Sequence, residues 1–324
     1  MDAETDGRWL AAAARLARRG IAESRPNPAV AAIIVKHDQV IARGLTRPGG
    51  RPHAEAEALA ALAAATTDAA GATLYVTLEP CAHASPRGPS CADLVAASGI
   101  ARVVIGCVDP DPRTAGQGFA RLRQAGIAAD FIECADCAAG LAGYLTRTQH
   151  RRPHVTLKLG LSADARLAPP PGQGQWLTGP AARAHVHAWR ARMDAIVVGR
   201  GTLLADQPRL DVRLPGLEQR SPERWLLTRS PAPIGWRALA SPAAIGVMGD
   251  AQYLMVEGGA QTAAAFLCAG LVDRMLLYRA PHAVGGTGAA LPELGPEALA
   301  ADPAWRQTDT RPLGNDRLDV YERV

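Results

Sequence analysis

A histidine, a glutamate and two cysteines in the first third of the chain have the types and spacing of a catalytic zinc site. His53 and Glu55 are two residues apart, Cys81 follows Pro80, and a second cysteine stands at Cys91. One imidazole and two thiolates supply three zinc ligands and leave the fourth tetrahedral position open to water. Glu55 is then placed to carry protons between that water and a substrate. The set predicts hydrolytic deamination of an amino-substituted heterocycle.

The same residues allow an alternative in which zinc only holds the fold together. Structural zinc sites usually have four protein ligands, and His83 could supply the fourth. A zinc-stabilised binding or nucleic-acid module is therefore the alternative to an enzyme. We favour catalysis, because a His-x-Glu pair and a Pro-Cys pair at a strand-to-helix junction rarely occur together by chance. Nine residues separate the two cysteines, whereas nucleobase deaminases of this type use a Pro-Cys-x-x-Cys spacing.

Length and charge limit the classes of protein that remain. The 324 residues are enough for two domains. A net charge of +4 without a dense basic block does not predict a nucleic-acid partner. No apolar run reaches the roughly 18 residues that a membrane span needs. The acidic start of the chain, residues 1–6, does not resemble a secretory signal, so we expect a cytoplasmic enzyme without a membrane partner.

The remaining cysteines do not predict further chemistry. Cys134 and Cys137 form a Cys-x-x-Cys pair, but no histidine follows at metal-binding spacing. We interpret them as a pair in a strand-to-helix turn. Cys107 and Cys268 are interpreted as core residues, and disulfides are not expected.

Helical and extended patterns alternate along both halves of the chain. In residues 1–150 they predict a helix capped by Asp6 at 6–19, a hairpin at 30–35 and 40–44, further helices at 53–65, 91 onward, 118–125 and 135–149, and strands at 73–77, 103–108 and 130–132. This order predicts a mixed sheet with helices on both faces. A basic stretch that ends at Pro153 predicts the domain boundary.

The second half predicts another α/β unit. Strands are expected at 154–160, 195–199, 224–227, 253–256 and 275–279, helices at 180–192 and 261–269, and loops at 169–174, 212–222 and 281–296. Glycine-rich turns at 199–202 and 285–288 could hold phosphates with their backbone amides. From the residues alone, plain tight turns are the favoured explanation of these glycines.

Several motifs resemble the bacterial riboflavin-biosynthesis deaminase–reductase family, RibD. They are PNPAV at 26–30, PHAE at 52–55, YVTLEPCAH at 75–83, DPDP at 109–112, LKLGLSAD at 157–164, QWLT at 175–178, VGRGT at 198–202 and VEGG at 256–259. The resemblance spans nearly the whole chain. It implies α/β architecture, with an N-terminal cytidine-deaminase-like three-layer α/β/α domain at 1–150 and a C-terminal dihydrofolate-reductase-like domain at 151–324.

The resemblance also implies two reactions. The first domain would use one Zn²⁺ per chain to deaminate 2,5-diamino-6-ribosylamino-4(3H)-pyrimidinone 5′-phosphate. The second would use NADPH to reduce the ribosyl group to a ribityl chain. Relatives of this kind form homo-oligomers, so a dimer or tetramer is implied.

Residue roles follow by matching motif positions. In the first domain these are zinc binding by His53, Cys81 and Cys91, acid–base catalysis by Glu55, and substrate contact by Asn27, His83, Arg87 and Asp109. In the second domain the substrate contacts are Lys158, Thr178, Arg190, Asp206, Arg213 and Glu257. The cofactor contacts are Ser162, Trp176, Gly199, Gly201, Thr202, Gly258, Gly259, Gly285 and Gly286.

One segment departs from the family pattern. Only 28 residues, 229–256, separate Thr228 from Glu257, which is a strand and a helix short of the family's cofactor-side segment. This leaves open a deaminase whose reductase-like domain is inactive and serves in assembly.

Overall fold

Two units make up the chain in the computed structural model, which describes residues 3–83, 88–167, 177–285 and 289–324. Unit 1 comprises residues 1–151 and unit 2 comprises residues 152–324. Each unit has its own sheet and its own hydrophobic core. In the described residues, no helix has the length and apolar character to cross a membrane.

Unit 1 is a five-stranded sheet between two layers of helices. Its helices are α1 Ala3–Ala17, α2 Ala54–Ala64, α3 Cys91–Ala96, α4 Gln117–Gln124 and α5 Ala135–His150. Its strands are β1 Ala31–Lys36, β2 Gln39–Leu45, β3 Thr73–Val76, β4 Arg102–Ile105 and β5 Ala128–Phe131. The order is β2-β1-β3-β4-β5, with β1 antiparallel to β2 and β3, and with β3, β4 and β5 parallel.

Alternation along β1 explains the two helix layers. Side chains of successive strand residues point to opposite faces of a sheet. Ile34 packs in a core cluster with Leu62 of α2. Its neighbour Ile33 packs in another cluster with Leu10 of α1 and Cys137 of α5. The predicted three-layer α/β/α architecture is confirmed.

Asp6 lies inside α1, so the prediction that it caps this helix is wrong. The helix begins at Ala3, and the buried Asp6 carboxylate accepts two hydrogen bonds of 2.9 Å from the Arg102 guanidinium. Tyr75 donates a third, of 2.7 Å. A buried carboxylate needs a cationic partner, and here that partner lies 96 residues away on β4.

Unit 2 is an eight-stranded sheet with order β12-β13-β11-β6-β10-β7-β8-β9. The strands are β6 His154–Leu161, β7 Ala195–Gly199, β8 Glu223–Leu227, β9 Arg237–Leu239, β10 Tyr253–Val256, β11 Arg274–Arg279, β12 Trp305–Leu313 and β13 Asp316–Arg323. The helices are α6 Pro180–Arg190, α7 Arg200–Asp206, α8 Ala260–Cys268 and α9 Pro296–Ala301. The six neighbouring strands β11-β6-β10-β7-β8-β9 are all parallel. The C-terminal hairpin β12–β13 adds two strands at the other edge, where β13 is antiparallel to both β11 and β12.

The hairpin β12–β13 and the helices α7 and α9 were absent from the sequence prediction. Most residues of β12 are exposed and polar, so this strand lacks the alternating apolar pattern that marks a half-buried strand. The helix α7 begins directly after Gly199, where only a turn was expected.

The short segment between β8 and β10 keeps some regular structure. It contains the three-residue strand β9, parallel to β8 at the edge of the sheet, and a 3-10 helix at Pro242–Met248. These short elements lie in the segment 229–256, which by its sequence is a strand and a helix shorter than the family pattern.

Two cysteine predictions have different outcomes. Cys268 is exposed at the end of α8, so its assignment to the core is wrong. The buried face of that helix consists of Thr262, Ala263 and Phe266. Cys107 is partly buried against the core of unit 1.

Candidate functional site

The structure brings His53, Cys81 and Cys91 together in unit 1. Their ligand atoms all lie within 4.8 Å of one another, with His53 Nδ1 3.3 Å from the Cys91 sulfur and 3.6 Å from the Cys81 sulfur. Tetrahedral zinc with ordinary Zn–N and Zn–S bonds separates neighbouring ligand atoms by about 3.5 Å, so this donor set fits zinc. In the described parts of the chain this is the only such group, and His83 does not belong to it.

Two helix N-termini place these ligands. His53 is the residue before α2, and Cys91 is the first residue of α3. The backbone amide of Cys91 donates a hydrogen bond to the Cys81 sulfur at 3.3 Å. The N-terminal end of a helix carries partial positive charge, which stabilises thiolates. A hydrogen bond from Cys91 lowers the pKa of Cys81 to about 4. This hydrogen bond favours the thiolate form of Cys81, which is the form that binds zinc.

Gly44 on β2 allows α2 to approach the sheet. A Cβ atom at this position would lie 2.0 Å from the Ala54 carbonyl oxygen and 2.4 Å from the Ala58 amide nitrogen. Any larger residue would push the start of α2 away from the sheet. His53 and Glu55 would move with it.

Glu55 is buried beside the three ligands. Burial is the main cause that raises its pKa to about 7. A carboxyl group with this pKa exchanges protons readily at neutral pH, as a general acid–base catalyst must.

A cavity of about 310 Å³ opens next to these groups. Its lining includes the predicted residues Asn27, His53, Glu55, Cys81, His83 and Asp109. Arg87 lies outside the described residues. The cavity gives a substrate access to the potential metal site and to Glu55.

Asn27 and His83 present polar groups to this cavity. The Asn27 amide nitrogen donates to the Gly50 carbonyl oxygen at 2.7 Å and lies 3.1 Å from His53 Nε2. His83 Nδ1 is buried without a hydrogen-bond partner among the described residues. A buried polar atom of this kind is available to a ligand.

Asp109 is held by a residue that the sequence did not indicate. Tyr144 of α5 donates to Asp109 Oδ1 at 2.8 Å, and the Asp111 amide donates to the same oxygen at 2.9 Å. Burial raises the pKa of Asp109. Tyr144 lies in an apolar helix pattern, so no local signal marks it as a site residue.

Asp111 and Arg113 form a second unpredicted pair in the cavity wall. Arg113 Nε lies 3.0 Å from both carboxylate oxygens of Asp111. These hydrogen bonds lower the pKa of Asp111. The pair adds a carboxylate to the cavity wall together with the guanidinium that balances its charge.

In unit 2, Lys158, Arg190 and Glu257 form a partly buried charged cluster. Arg190 donates two hydrogen bonds to the Glu257 carboxylate, of 2.7 and 2.9 Å, and Lys158 Nζ lies 3.8 Å from it. Burial opposes the charge on Glu257, but the Arg190 hydrogen bonds and the Lys158 charge lower its pKa overall. Burial lowers the pKa of Lys158.

Among the other predicted substrate residues of unit 2, Arg213 is connected to this cluster through Asp211. Arg190 also donates to the Asp211 carbonyl oxygen at 3.1 Å, and Arg213 Nε lies 3.5 Å from the Asp211 carboxylate. Asp206 is exposed at the end of α7. Within the described residues, neither Thr178 nor Asp206 hydrogen-bonds to the Lys158–Arg190–Glu257 cluster.

The predicted cofactor residues gather where the parallel strands β7 and β10 end. Gly199 precedes α7 and Gly259 precedes α8, and the Gly259 amide donates to Thr202 Oγ1 at 3.2 Å. A Cβ at Gly201 would meet nothing within 4 Å. Helix N-termini at the ends of parallel strands are places where proteins bind the phosphates of a dinucleotide, and the space beside Gly201 is open.

Helix packing is a second reason why glycine stands at positions 199 and 258. A Cβ atom at Gly199 or at Gly258 would come within 2.3 Å of the Thr262 side chain. Close approach of α8 therefore requires glycine at both positions, with or without a cofactor.

Two of the remaining predicted cofactor residues, Ser162 and Gly285, meet at Asp164. Ser162 Oγ donates to one Asp164 oxygen at 2.6 Å, and the Gly285 amide donates to the other at 2.9 Å. This links the end of β6 to the loop after β11. Trp176 and Gly286 lie outside the described residues.

Family comparisons match both halves of the chain. A family model described as the cytidine and deoxycytidylate deaminase zinc-binding region matches residues 3–107. One described as the RibD C-terminal domain matches residues 153–239 and 247–318. The riboflavin biosynthesis protein RibD of Escherichia coli is 35% identical, over 96% of this chain and 97% of the relative. The RibD of Aquifex aeolicus is 31% identical, over 99% of each.

The chain belongs to the RibD family.

Solved RibD structures agree with this assignment. Acinetobacter baumannii RibD matches with a TM-score of 0.86 and 32% identity over 100% of both chains. A Thermotoga maritima diaminohydroxyphosphoribosylaminopyrimidine deaminase/5-amino-6-(5-phosphoribosylamino)uracil reductase matches with a TM-score of 0.87 and 27% identity over 99% of both. The predicted family and fold class are confirmed.

This RibD chain contains both the deaminase and the reductase domain. The alternative of an inactive reductase finds no support in these comparisons. The break in the RibD C-terminal match, at residues 240–246, falls in the short segment between β8 and β10. The alignment to the E. coli relative spans 361 positions, more than the 324 residues present here.

Proposed function

We propose that unit 1 deaminates 2,5-diamino-6-ribosylamino-4(3H)-pyrimidinone 5′-phosphate and that unit 2 then reduces the ribosyl group to a ribityl chain with NADPH. The observation that carries the first reaction is the meeting of His53, Cys81 and Cys91 next to a cavity that Glu55 also lines. Membership of the RibD family supports the second.

Zinc, bound by His53, Cys81 and Cys91, would make a water molecule nucleophilic near neutral pH. Water adds to the ring carbon that bears the 2-amino group, and ammonia leaves. Glu55 moves the two protons of that water, one to the ring nitrogen and one to the departing amine. Its buried position and its pKa of about 7 suit both transfers.

The cavity wall would bind and orient the pyrimidine. Asn27 and His83 offer an amide and an imidazole, and Asp109 offers a carboxyl group fixed by Tyr144. Donors and acceptors at fixed positions select a heterocycle by its polar edge. Arg87 would contact the phosphate through its forked donors.

In unit 2, NADPH would supply the hydride for the sugar carbon. The backbone amides of residues 199–202 and 258–259 would hold the phosphates of NADPH. The other contacts to NADPH would come from Ser162, Trp176, Gly285 and Gly286. The substrate phosphate would be contacted by Lys158, Arg190 and Arg213. The hydroxyl groups of the substrate would be contacted by Thr178, Asp206 and Glu257. The Arg190 hydrogen bonds fix the Glu257 carboxylate in one orientation.

Two assays on the purified, zinc-loaded chain test this function. Ammonia release from the diaminopyrimidinone substrate reports deamination. Loss of NADPH absorbance with the deaminated substrate reports reduction. Ammonia release without NADPH oxidation would favour the alternative of an inactive second unit, and absence of both would contradict the proposal.

We also infer a cytoplasmic homo-oligomer, a dimer or tetramer, with no nucleic-acid or membrane partner. The supporting observations are the family assignment and the modest net charge of +4. Sedimentation velocity of the purified chain measures the assembly state, and a monomer would contradict the oligomer.

A further inference from the structure

The buried carboxylate of Glu79 has no part in the proton transfers described above. It stands two residues before Cys81 and three after the end of β3. Its side chain is turned toward the loop between β4 and α4. Oε2 accepts from the amides of Asp109 and Gly116, at 3.3 and 3.1 Å, and Oε1 accepts from those of Gly118 and Phe119, at 2.9 and 3.4 Å.

The amides of Asp109 and Gly116 belong to the loop between β4 and α4, whereas those of Gly118 and Phe119 belong to the first turn of α4. The loop and this first turn together form the stretch 109–119, which we call the loop 109–119, and part of it lines the substrate cavity. Residues 109–119 contribute Asp109, Asp111, Arg113 and Thr114 to its wall. Tyr144 holds the side chain of Asp109, whereas Glu79 holds its backbone. Both the carboxyl group of Asp109 and the Asp111–Arg113 pair therefore depend on a loop anchored at Glu79.

Gly118 shows how closely this loop approaches Glu79. A Cβ atom at position 118 would lie 2.4 Å from the Pro80 carbonyl oxygen and 2.9 Å from Glu79 Cγ. The loop is thus in direct contact with the segment that carries the ligand Cys81. One short stretch, 79–81, determines the positions of both a metal ligand and the facing cavity wall.

We propose that Glu79 is a positioning residue of the deaminase, which sets the substrate-binding loop 109–119 against the metal centre. The proposal rests on the deaminase function proposed for this cavity. Four backbone donors surround two acceptor oxygens, and only a carboxylate satisfies all four. An amide at this position places an NH₂ group against two N–H donors, whichever way it is turned.

Glu79→Gln is the main test. We expect unchanged zinc content, a KM for ammonia release raised about tenfold or more, and a smaller effect on kcat, because Glu55 is untouched. Hydrogen–deuterium exchange of the amides at 109, 116, 118 and 119 should become faster. A variant with wild-type KM, or with wild-type exchange in this loop, would overturn the proposal.

Asp6→Asn is the matched control. Asp6 is also a buried carboxylate of unit 1, but it pairs with Arg102 and Tyr75 and does not line the cavity. We expect lower stability with the wild-type KM. A KM raised as much as in Glu79→Gln would show that loss of stability alone explains the effect, which would also overturn the proposal.

Gly118→Ala tests the same contact from the loop side. It leaves the carboxylate intact and should raise KM in the same direction, so a failure of Glu79→Gln to fold does not end the test. A wild-type KM in Gly118→Ala would count against the proposal. Absence of ammonia release from the wild-type protein would instead contradict the deaminase function, while the exchange measurement would still report whether Glu79 anchors the loop.

Discussion

Arg190 and Glu257 lie 67 residues apart in sequence and form a partly buried pair with two parallel hydrogen bonds, of 2.7 and 2.9 Å. Arg190 ends α6, and Glu257 directly follows β10. Their pairing, with Lys158 beside it, concentrates charge at the centre of the proposed reductase site.

Glu257→Gln should remove reductase activity and leave ammonia release intact. Loss of this carboxylate leaves two partly buried cations without their counter-charge, so the free energy of unfolding of unit 2 should fall by about 1–3 kcal/mol. NADPH oxidation and urea unfolding measure the two effects. Glu223→Gln, which removes a half-exposed carboxylate paired with Arg237, should keep reductase activity. Wild-type NADPH oxidation in Glu257→Gln would contradict the assigned role.

Glu55→Gln should retain zinc and lose ammonia release by about 100-fold or more, because the amide cannot carry protons. The control is Glu57→Gln, on the same helix turn. The Glu57 side chain pairs with Arg47 outside the cavity, so activity should remain. Metal analysis together with an ammonia assay measures both variants. Unchanged ammonia release in Glu55→Gln would support the alternative of a structural zinc site.

Cys91→Ser should lower the zinc content and abolish ammonia release, since one of the three ligands is lost. Reduction of the deaminated substrate should continue, because the residues assigned to it lie in unit 2. Cys268→Ser, at an exposed thiol, should change neither reaction. If Cys91→Ser kept full zinc occupancy, the assigned ligand set would be wrong.

His154→Leu should reduce the acid sensitivity of unit 2. Burial is the main cause that lowers the pKa of His154 from 6.5 to about 3, and its Nδ1 has no hydrogen-bond partner among the described residues. The unfolded chain therefore binds a proton below pH 6.5 that the folded chain does not. Stability due to this group is complete above pH 6.5 and is lost as the pH falls toward 3, by about 2 kcal/mol at pH 5.

Urea unfolding at pH 7 and pH 5 measures this difference. Tryptophan fluorescence reports mainly on unit 2, which contains five of the six tryptophans. His154→Leu should lose less stability than the wild type between the two pH values. His282→Gln, at an exposed position, should behave as the wild type. Equal losses in His154→Leu and the wild type would contradict the prediction.

Local patterns predicted those parts of the fold whose signals lie within a few residues. The hairpin β1–β2, the alanine- and leucine-rich helix α2, the helix α5 and the continuous apolar strands β7 and β10 each carry a local sequence signal. The hairpin β12–β13 escaped prediction because its outer strand is exposed and polar. Asp6 was assigned as a cap because its partner Arg102 cannot be recognised from neighbouring residues.

By itself, the sequence determined the α/β class, the family and the side chains available for a zinc-dependent deamination, because residue types and short spacings encode these. Only the tertiary structure decided that Tyr144 holds Asp109, that Arg190 pairs with Glu257 and that Glu79 anchors the loop 109–119. Each of these contacts joins residues at least 30 positions apart. Such pairs meet only when strands and helices pack, so no local periodicity or spacing records them.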